Sequence, residues 1–296
     1  MMHRINKLLI ELPVPEHGDM NAAAAVQDLL GGKYGEMSTL NNYMFQSFNF
    51  RGKKKFRPFY DLIASITAEE FGHVELVSYT INLLSRGNTF PGDPDVTPLQ
   101  NGKDARYALH FVSTAQTAYP GDSMGRPWNG EFVTNTGNLA ADLLHNFLLE
   151  IGARTHKMRV YEMTDNPVAR ELTGYLLVRG GTHIIAYAKA LEVLTGVDVG
   201  KMLPIPSLDN NKFDYARKFM ERGLYNVLYT WGEDDYRDIA KIWKGRNPET
   251  GEELRVIHGT PEGAPIPELD ELPEQFAPGI DREDYQRILK RLMENL

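Results

Sequence analysis

The chain has no cysteine among its 296 residues. That absence removes disulfides, thiolate metal sites, iron–sulfur clusters and cysteine nucleophiles together. Any metal held here must be taken by oxygen and nitrogen. Long apolar runs are absent too: the N-terminal stretch from Met1 to Glu11 carries only a brief one, too short for a signal-peptide core, and no segment approaches a membrane span. A cytoplasmic location without a membrane partner is therefore the expectation. Acidic residues outnumber basic ones, 40 to 32. A formal charge of −8 argues against nucleic acid as a partner, and the one basic cluster, Arg51 to Arg57, is short and reads as a solvated turn. With 42% hydrophobic and 24% charged residues, the chain can bury a full core as one large domain, with or without appendages.

Four segments repeat apolar residues at helical spacing. The first runs from about Asn21 to Phe48 and contains Gly31, Gly32 and Gly35. Each glycine weakens a helix by roughly 1 kcal/mol relative to alanine, which implies close packing or a local break before Glu36. The second starts near Pro58, at a position where proline is favoured, and runs about seven turns to Ser85-Arg86-Gly87. Residues 88–137 read as a long crossover of turns with one strand-like or short helical piece, Tyr107 to Val112. The third helix spans Asn138 to Met163. The fourth spans Asn166-Pro167 to Leu194, ending at Thr195-Gly196, so these two should be antiparallel neighbours. The expected fold is all-α: a four-helix bundle over residues 1–200, followed by an extended, largely irregular C-terminal arm over 201–296. Eight of the 17 prolines fall between Pro204 and Pro278, among short helical pieces at Phe213 to Arg222 and Glu233 to Lys244. Residues 261–281 read equally as disorder or as an ordered arm over a neighbouring subunit.

The chemistry lies on these helices. Glu70 and His73 form a Glu-x-x-His, three residues apart and so on one helix face. Their seam is Ile63, Ile66, Glu70, His73, Val77 and Leu84. A rival seam through Leu62, Ile66, Glu69, His73, Leu76 and Leu83 is equally apolar, so spacing leaves Glu69 or Glu70 open. The third helix aligns Leu143, Phe147, Glu150, Arg154, Lys157 and Tyr161. The fourth aligns Leu176, Arg179 or Gly180, His183 and Tyr187, and the first aligns Leu29, Glu36, Leu40 and Tyr43. A lone helical Glu is usually solvated and a lone seam histidine usually core. Five such residues in apolar stripes point instead to a shared metal pair, since a buried unpaired carboxylate costs several kcal/mol. His110, His145, His156 and His258 lack that context and read as structural or surface residues.

Carboxylate and imidazole without thiolate suit manganese, iron or zinc. Di-metal carboxylate bundles draw one Glu from each of two helices and a Glu-x-x-His from each of the other two. This chain departs at one place: Gly180 stands three residues before His183. The missing carboxylate disfavours an iron-oxidising or iron-storage protein. A structural, coat-type oligomer merely stabilised by metals is a further alternative. Three glutamates leave a divalent pair short of neutrality, and solvent-derived hydroxide or oxide bridges would supply the remainder.

Over nearly its whole length the chain resembles the manganese catalases, non-haem enzymes of the ferritin-like superfamily. The resemblance rests on Lys33-Tyr34-Gly35-Glu36-Met37, on Ala68-Glu69-Glu70-Phe71-Gly72-His73-Val74-Glu75, on Arg179-Gly180-Gly181-Thr182-His183, and on Met202-Leu203-Pro204-Ile205-Pro206. It implies two manganese ions per chain with hydroxo or oxo bridges and no haem. The implied ligands are Glu36, Glu70, His73, Glu150 and His183, with Glu70 rather than Glu69 bridging. Lys157 matches a lysine near the metals in one branch, and Tyr43 matches a tyrosine behind the ligands. Another branch carries a proton-transfer acid where Gly180 stands, so here the relay would fall to Lys157, Glu36 and metal-bound solvent. The implied reaction is disproportionation of hydrogen peroxide to water and dioxygen, with the pair cycling between Mn(II)2 and Mn(III)2. The implied assembly is a homo-oligomer, a hexamer with exchanged C-terminal arms.

Overall fold

In the computed structural model, residues 6–85, 114, 117–269 and 282–294 are described. Helix α1 (Met20–Gly31) starts where the Asp19 carboxylate accepts from the backbone N–H groups of Asn21 and Ala22. After a glycine-rich turn comes α2 (Glu36–Phe48), so the first periodic segment is two helices rather than one. The break is steric: a Cβ on Gly35 would lie 2.8 Å from the carbonyl oxygens of Leu29 and Leu30. The turn thus closes only around glycine, and it makes Glu36 the first residue of a new helix. Its carboxylate there faces the positive end of the helix dipole.

Helix α3 (Arg57–Leu84) has Pro58 in its first turn. Helix α4 (Leu139–Met163) is capped by Asn138, whose side chain accepts from Ala141 N–H. Helix α5 (Pro167–Thr195) has Asn166 as its cap and Gly196 in the left-handed conformation at its end, φ 76°. Both seams of α3 are buried, which places Glu69 as well as Glu70 inside. Helices α4 and α5 pack together, α3 packs on α1, α2 and α5, and a single cluster including Leu29, Leu62, Ile63, Leu143, Leu176 and Ile185 fills the interior. The architecture is a ferritin-like helical bundle.

Past α5 the chain folds back over the bundle. Helix α6 (Asp214–Glu221) packs on α5, and a 3-10 turn, Arg237–Lys241, packs on α3. That turn is shorter than the helical piece expected over Glu233 to Lys244. Among the described residues there are two small sheets. Strand β1 (Lys7–Leu8) pairs antiparallel with β4 (Ala264–Pro265), and β2 (Val227–Tyr229) pairs parallel with β3 (Arg255–Ile257). Phe219, Tyr225 and Trp243 join the hydrophobic cluster of the bundle. Helix α7 (Arg282–Glu294) exposes Tyr285, Leu292 and Met293. The expected piece at Tyr107 to Val112, Gly87, His110 and residues 270–281 lie outside the described residues. Among those described, no helix is long and apolar enough to cross a membrane.

Candidate metal centre

Glu36 from α2, Glu70 and His73 from α3, Glu150 from α4 and His183 from α5 converge in the middle of the bundle, all at most 1% exposed. Their donor atoms form two groups, each within 4.8 Å across: Glu36, Glu70 and His73, and Glu70, Glu150 and His183. Glu70 belongs to both. His73 Nδ1 lies 3.5 Å from Glu36 Oε2 and 3.3 Å from Glu70 Oε1. His183 Nδ1 lies 2.8 Å from Glu70 Oε1 and 3.3 Å from Glu150 Oε1. Both imidazoles therefore turn Nδ1 toward the shared carboxylate.

The surrounding side chains divide the carboxylate oxygens into held and free ones. Tyr43, fully buried on α2, donates its hydroxyl to Glu150 Oε1 at 2.8 Å, while Glu150 Oε2 has no hydrogen-bond partner. Thr39, one turn beyond Glu36, donates to Glu70 Oε2 at 2.6 Å. Lys157 Nζ sits 2.9 Å from Glu36 Oε1. A Cβ on Gly180 would stand 3.3 Å from Lys157 Nζ and 3.7 Å from Glu150 Oε2. The position lacking an acid thus borders the lysine and a free carboxylate oxygen.

The electrostatics are those of a crowded anionic interior. Burial raises the Glu150 carboxyl above its usual range, and the neighbouring Glu70 charge adds to this while His183 and Lys157 oppose it. Burial would also raise Glu70, but His73 and bonds from both imidazoles hold it well below the usual carboxylate range. For His183, burial alone would lower the pKa; Glu69 and bonds to Glu150 and Glu70 push it up to about 10. His73 is raised for the same kind of reason, with Glu70 as its strongest anionic neighbour. Burial would depress Lys157, yet Glu36, Glu150 and Glu70 raise it, so it is an ammonium ion. Tyr43 is pushed well up by burial and by Glu150, and stays a neutral phenol.

Of three further residues in this neighbourhood, Thr39 escapes the spacing argument, while Glu69 and Arg179 stand on its seams as alternatives to Glu70 and Gly180. Each has a signal in the sequence. Thr39 is one helical turn from Glu36, Arg179 is four residues before His183, and Glu69 lies on the rival seam of α3. Glu69 is bound by Arg179, whose Nε–H reaches Oε1 at 2.5 Å and whose Nη2–H reaches Oε2 at 2.9 Å. It is buried because it is paired, and Arg179 together with His183 draws its carboxyl well below the usual range against the pull of burial. Of the remaining histidines, His145 contacts Asn42, His156 packs edge-on against Tyr34, and His258 is exposed. None joins the cluster.

A manganese catalase of Bacillus subtilis is 29% identical over 276 residues, covering 88% of this chain and 98% of that protein. A manganese catalase of Lactiplantibacillus plantarum is 31% identical over 185 residues, covering 61% of this chain and 67% of that one. Among solved structures, wild-type KatB, a manganese catalase from Anabaena, superposes with a TM-score of 0.56 at 19% identity over 88% of this chain and 100% of its own, a likeness of fold. The family described as manganese containing catalase matches residues 2–296, and the chain belongs to that family.

Proposed function

We propose that the protein disproportionates hydrogen peroxide to water and dioxygen at a pair of manganese ions. One ion would be held by Glu36, Glu70 and His73 and the other by Glu70, Glu150 and His183. The observation that carries this reading is the pair of overlapping donor groups with Glu70 in common. The donor set fits hard or borderline divalent cations, being all carboxylate and imidazole. Glu150 Oε2 is buried without a hydrogen-bond partner, and three carboxylates crowd two imidazoles around it, a costly arrangement that bound cations would relieve. A manganese pair held by these residues would supply two one-electron changes together, so that peroxide could be reduced or oxidised by two electrons without release of hydroxyl radical.

The chain's own part is position and protons. Reduction of one peroxide to two waters consumes two electrons and two protons, and oxidation of a second peroxide to dioxygen returns both. Lys157, a buried ammonium against Glu36 Oε1, can lend a proton from Nζ and take it back. Tyr43 keeps Glu150 turned by holding Oε1, which leaves Oε2 free on the side bordered by Gly180 and Lys157. Thr39 fixes Glu70 through Oε2. The surrounding apolar stripes exclude bulk water. Assembly of several copies, including a hexamer, belongs to the same proposal; light scattering on the purified chain reads it directly. The reaction is tested by comparing oxygen evolution from peroxide by the manganese-loaded wild type with that of Glu150→Ala and Lys157→Met. Loss of one ion and of activity in the first, and loss of activity with both ions retained in the second, are the expected results.

A further inference from the structure

With Nδ1 of both imidazoles turned to the carboxylates, Nε2 of both points away, and both meet the same group. Glu69 Oε1 lies 3.6 Å from His73 Nε2, and Glu69 Oε2 lies 3.4 Å from His183 Nε2. Both nitrogens are buried, and neither has a hydrogen-bond partner. Glu69 cannot swing away, because Arg179 grips both of its oxygens. Arg179 is itself anchored from outside the bundle. Its Nη1 donates to the carbonyl oxygens of Leu224 and Val227, the latter at 2.9 Å, and its guanidinium carbon lies 5.6 Å from the centre of the Tyr229 ring.

We propose that Glu69 is one shared positioning residue for both metal-facing histidines, each oxygen placed to accept from one Nε2–H once the imidazoles hold metal, with Arg179 fixing that carboxylate against the segment 224–229. The inference rests on reading His73 and His183 as ligands. A neutral imidazole carries one proton, and an acceptor at Nε2 places it there and leaves the Nδ1 lone pair free for a metal. A carboxylate is the side chain that offers two acceptor oxygens and no donor, so each of its oxygens can serve one imidazole. An amide would satisfy one and present an N–H to the other. Buried without Arg179, the carboxylate would be an uncompensated charge. The β2 segment, distant in sequence, thereby becomes part of the support of the metal centre.

Glu69→Gln tests this in the full-length protein. Manganese(II) is titrated into metal-free protein and the free ion followed by electron paramagnetic resonance. The same proteins loaded with diamagnetic zinc(II) are read by nitrogen-15 NMR of the imidazoles. Wild type should bind two ions and show both imidazoles protonated at Nε2. In Glu69→Gln one ion should stay and the other weaken by about 10–100-fold, the usual loss on removing such an outer partner. Because that variant leaves Arg179 unpaired, Glu69→Gln with Arg179→Met removes both buried charges, and the same split between the two ions is expected. Two ions bound with wild-type affinity in either variant, or wild-type imidazoles protonated at Nδ1, would overturn the inference. Neither readout depends on peroxide turnover, so a wild type that binds metal as described yet evolves no oxygen would count against the proposed reaction alone.

Discussion

Glu69 and Glu70 are neighbours in sequence, both buried, and differ in what faces them: Glu70 meets two imidazole Nδ1 atoms and a threonine hydroxyl, Glu69 a guanidinium and the Nε2 side of the same two rings. Periodicity could not separate them, because α3 is buried along both seams. Only partners from other helices distinguish the two, and spacing within one helix carries no information about those. Since Glu70 belongs to both donor groups, Glu70→Ala should abolish binding of both ions, whereas Glu150→Ala should cost one; metal analysis of dialysed protein decides. Lys157→Met is expected to retain manganese while turnover falls about 10²–10⁴-fold, the range associated with loss of a positioned proton donor. In the metal-free protein His183 stays charged up to about pH 10 and His73 is raised likewise. Manganese binds the neutral imidazoles, so uptake near neutral pH must expel these protons, and affinity should rise with pH and fall as pH is lowered. Calorimetry in buffers of different ionisation enthalpy counts the protons; a pH-independent affinity would contradict this account.

At the scale of elements, helix ends were the most readable feature. Asn138, Asn166-Pro167 and Gly196 act through local rules, side-chain capping, fixed φ and left-handed freedom, which need no tertiary partner. The glycines at 31, 32 and 35 announced either a break or close packing, and the structure contains both: a turn that divides α1 from α2, and a backbone approach that admits no Cβ at Gly35. Gly35→Ala should therefore destabilise the fold by about 1–3 kcal/mol, as overpacking does, and displace Glu36. Urea unfolding measures the first effect and manganese occupancy the second. The parallel pairing of β2 with β3 was not legible, because three-residue strands are too short for a periodic signal and their partners lie far apart in sequence.

For the molecule as a whole, the proline-rich composition after Gly200 suggested an arm, but composition does not say what an arm rests on. Residues 201–269 bury Phe219, Tyr225 and Trp243 in the cluster that fills the bundle, and Ser65 on α3 donates to the Tyr229 carbonyl at 2.6 Å. Chain ending at residue 200 should consequently fail to give a folded, manganese-binding protein, as judged by circular dichroism and metal analysis. The central claim, that this buried carboxylate and imidazole cluster is a manganese site for peroxide disproportionation, is tested most directly by oxygen evolution from hydrogen peroxide with metal content determined on the same purified sample. The account predicts vigorous evolution that scales with manganese up to about two ions per chain, the number set by the two donor groups, and that resists cyanide at levels that block haem. Full manganese occupancy without oxygen evolution, or iron-loaded protein that consumes dioxygen instead, would contradict it.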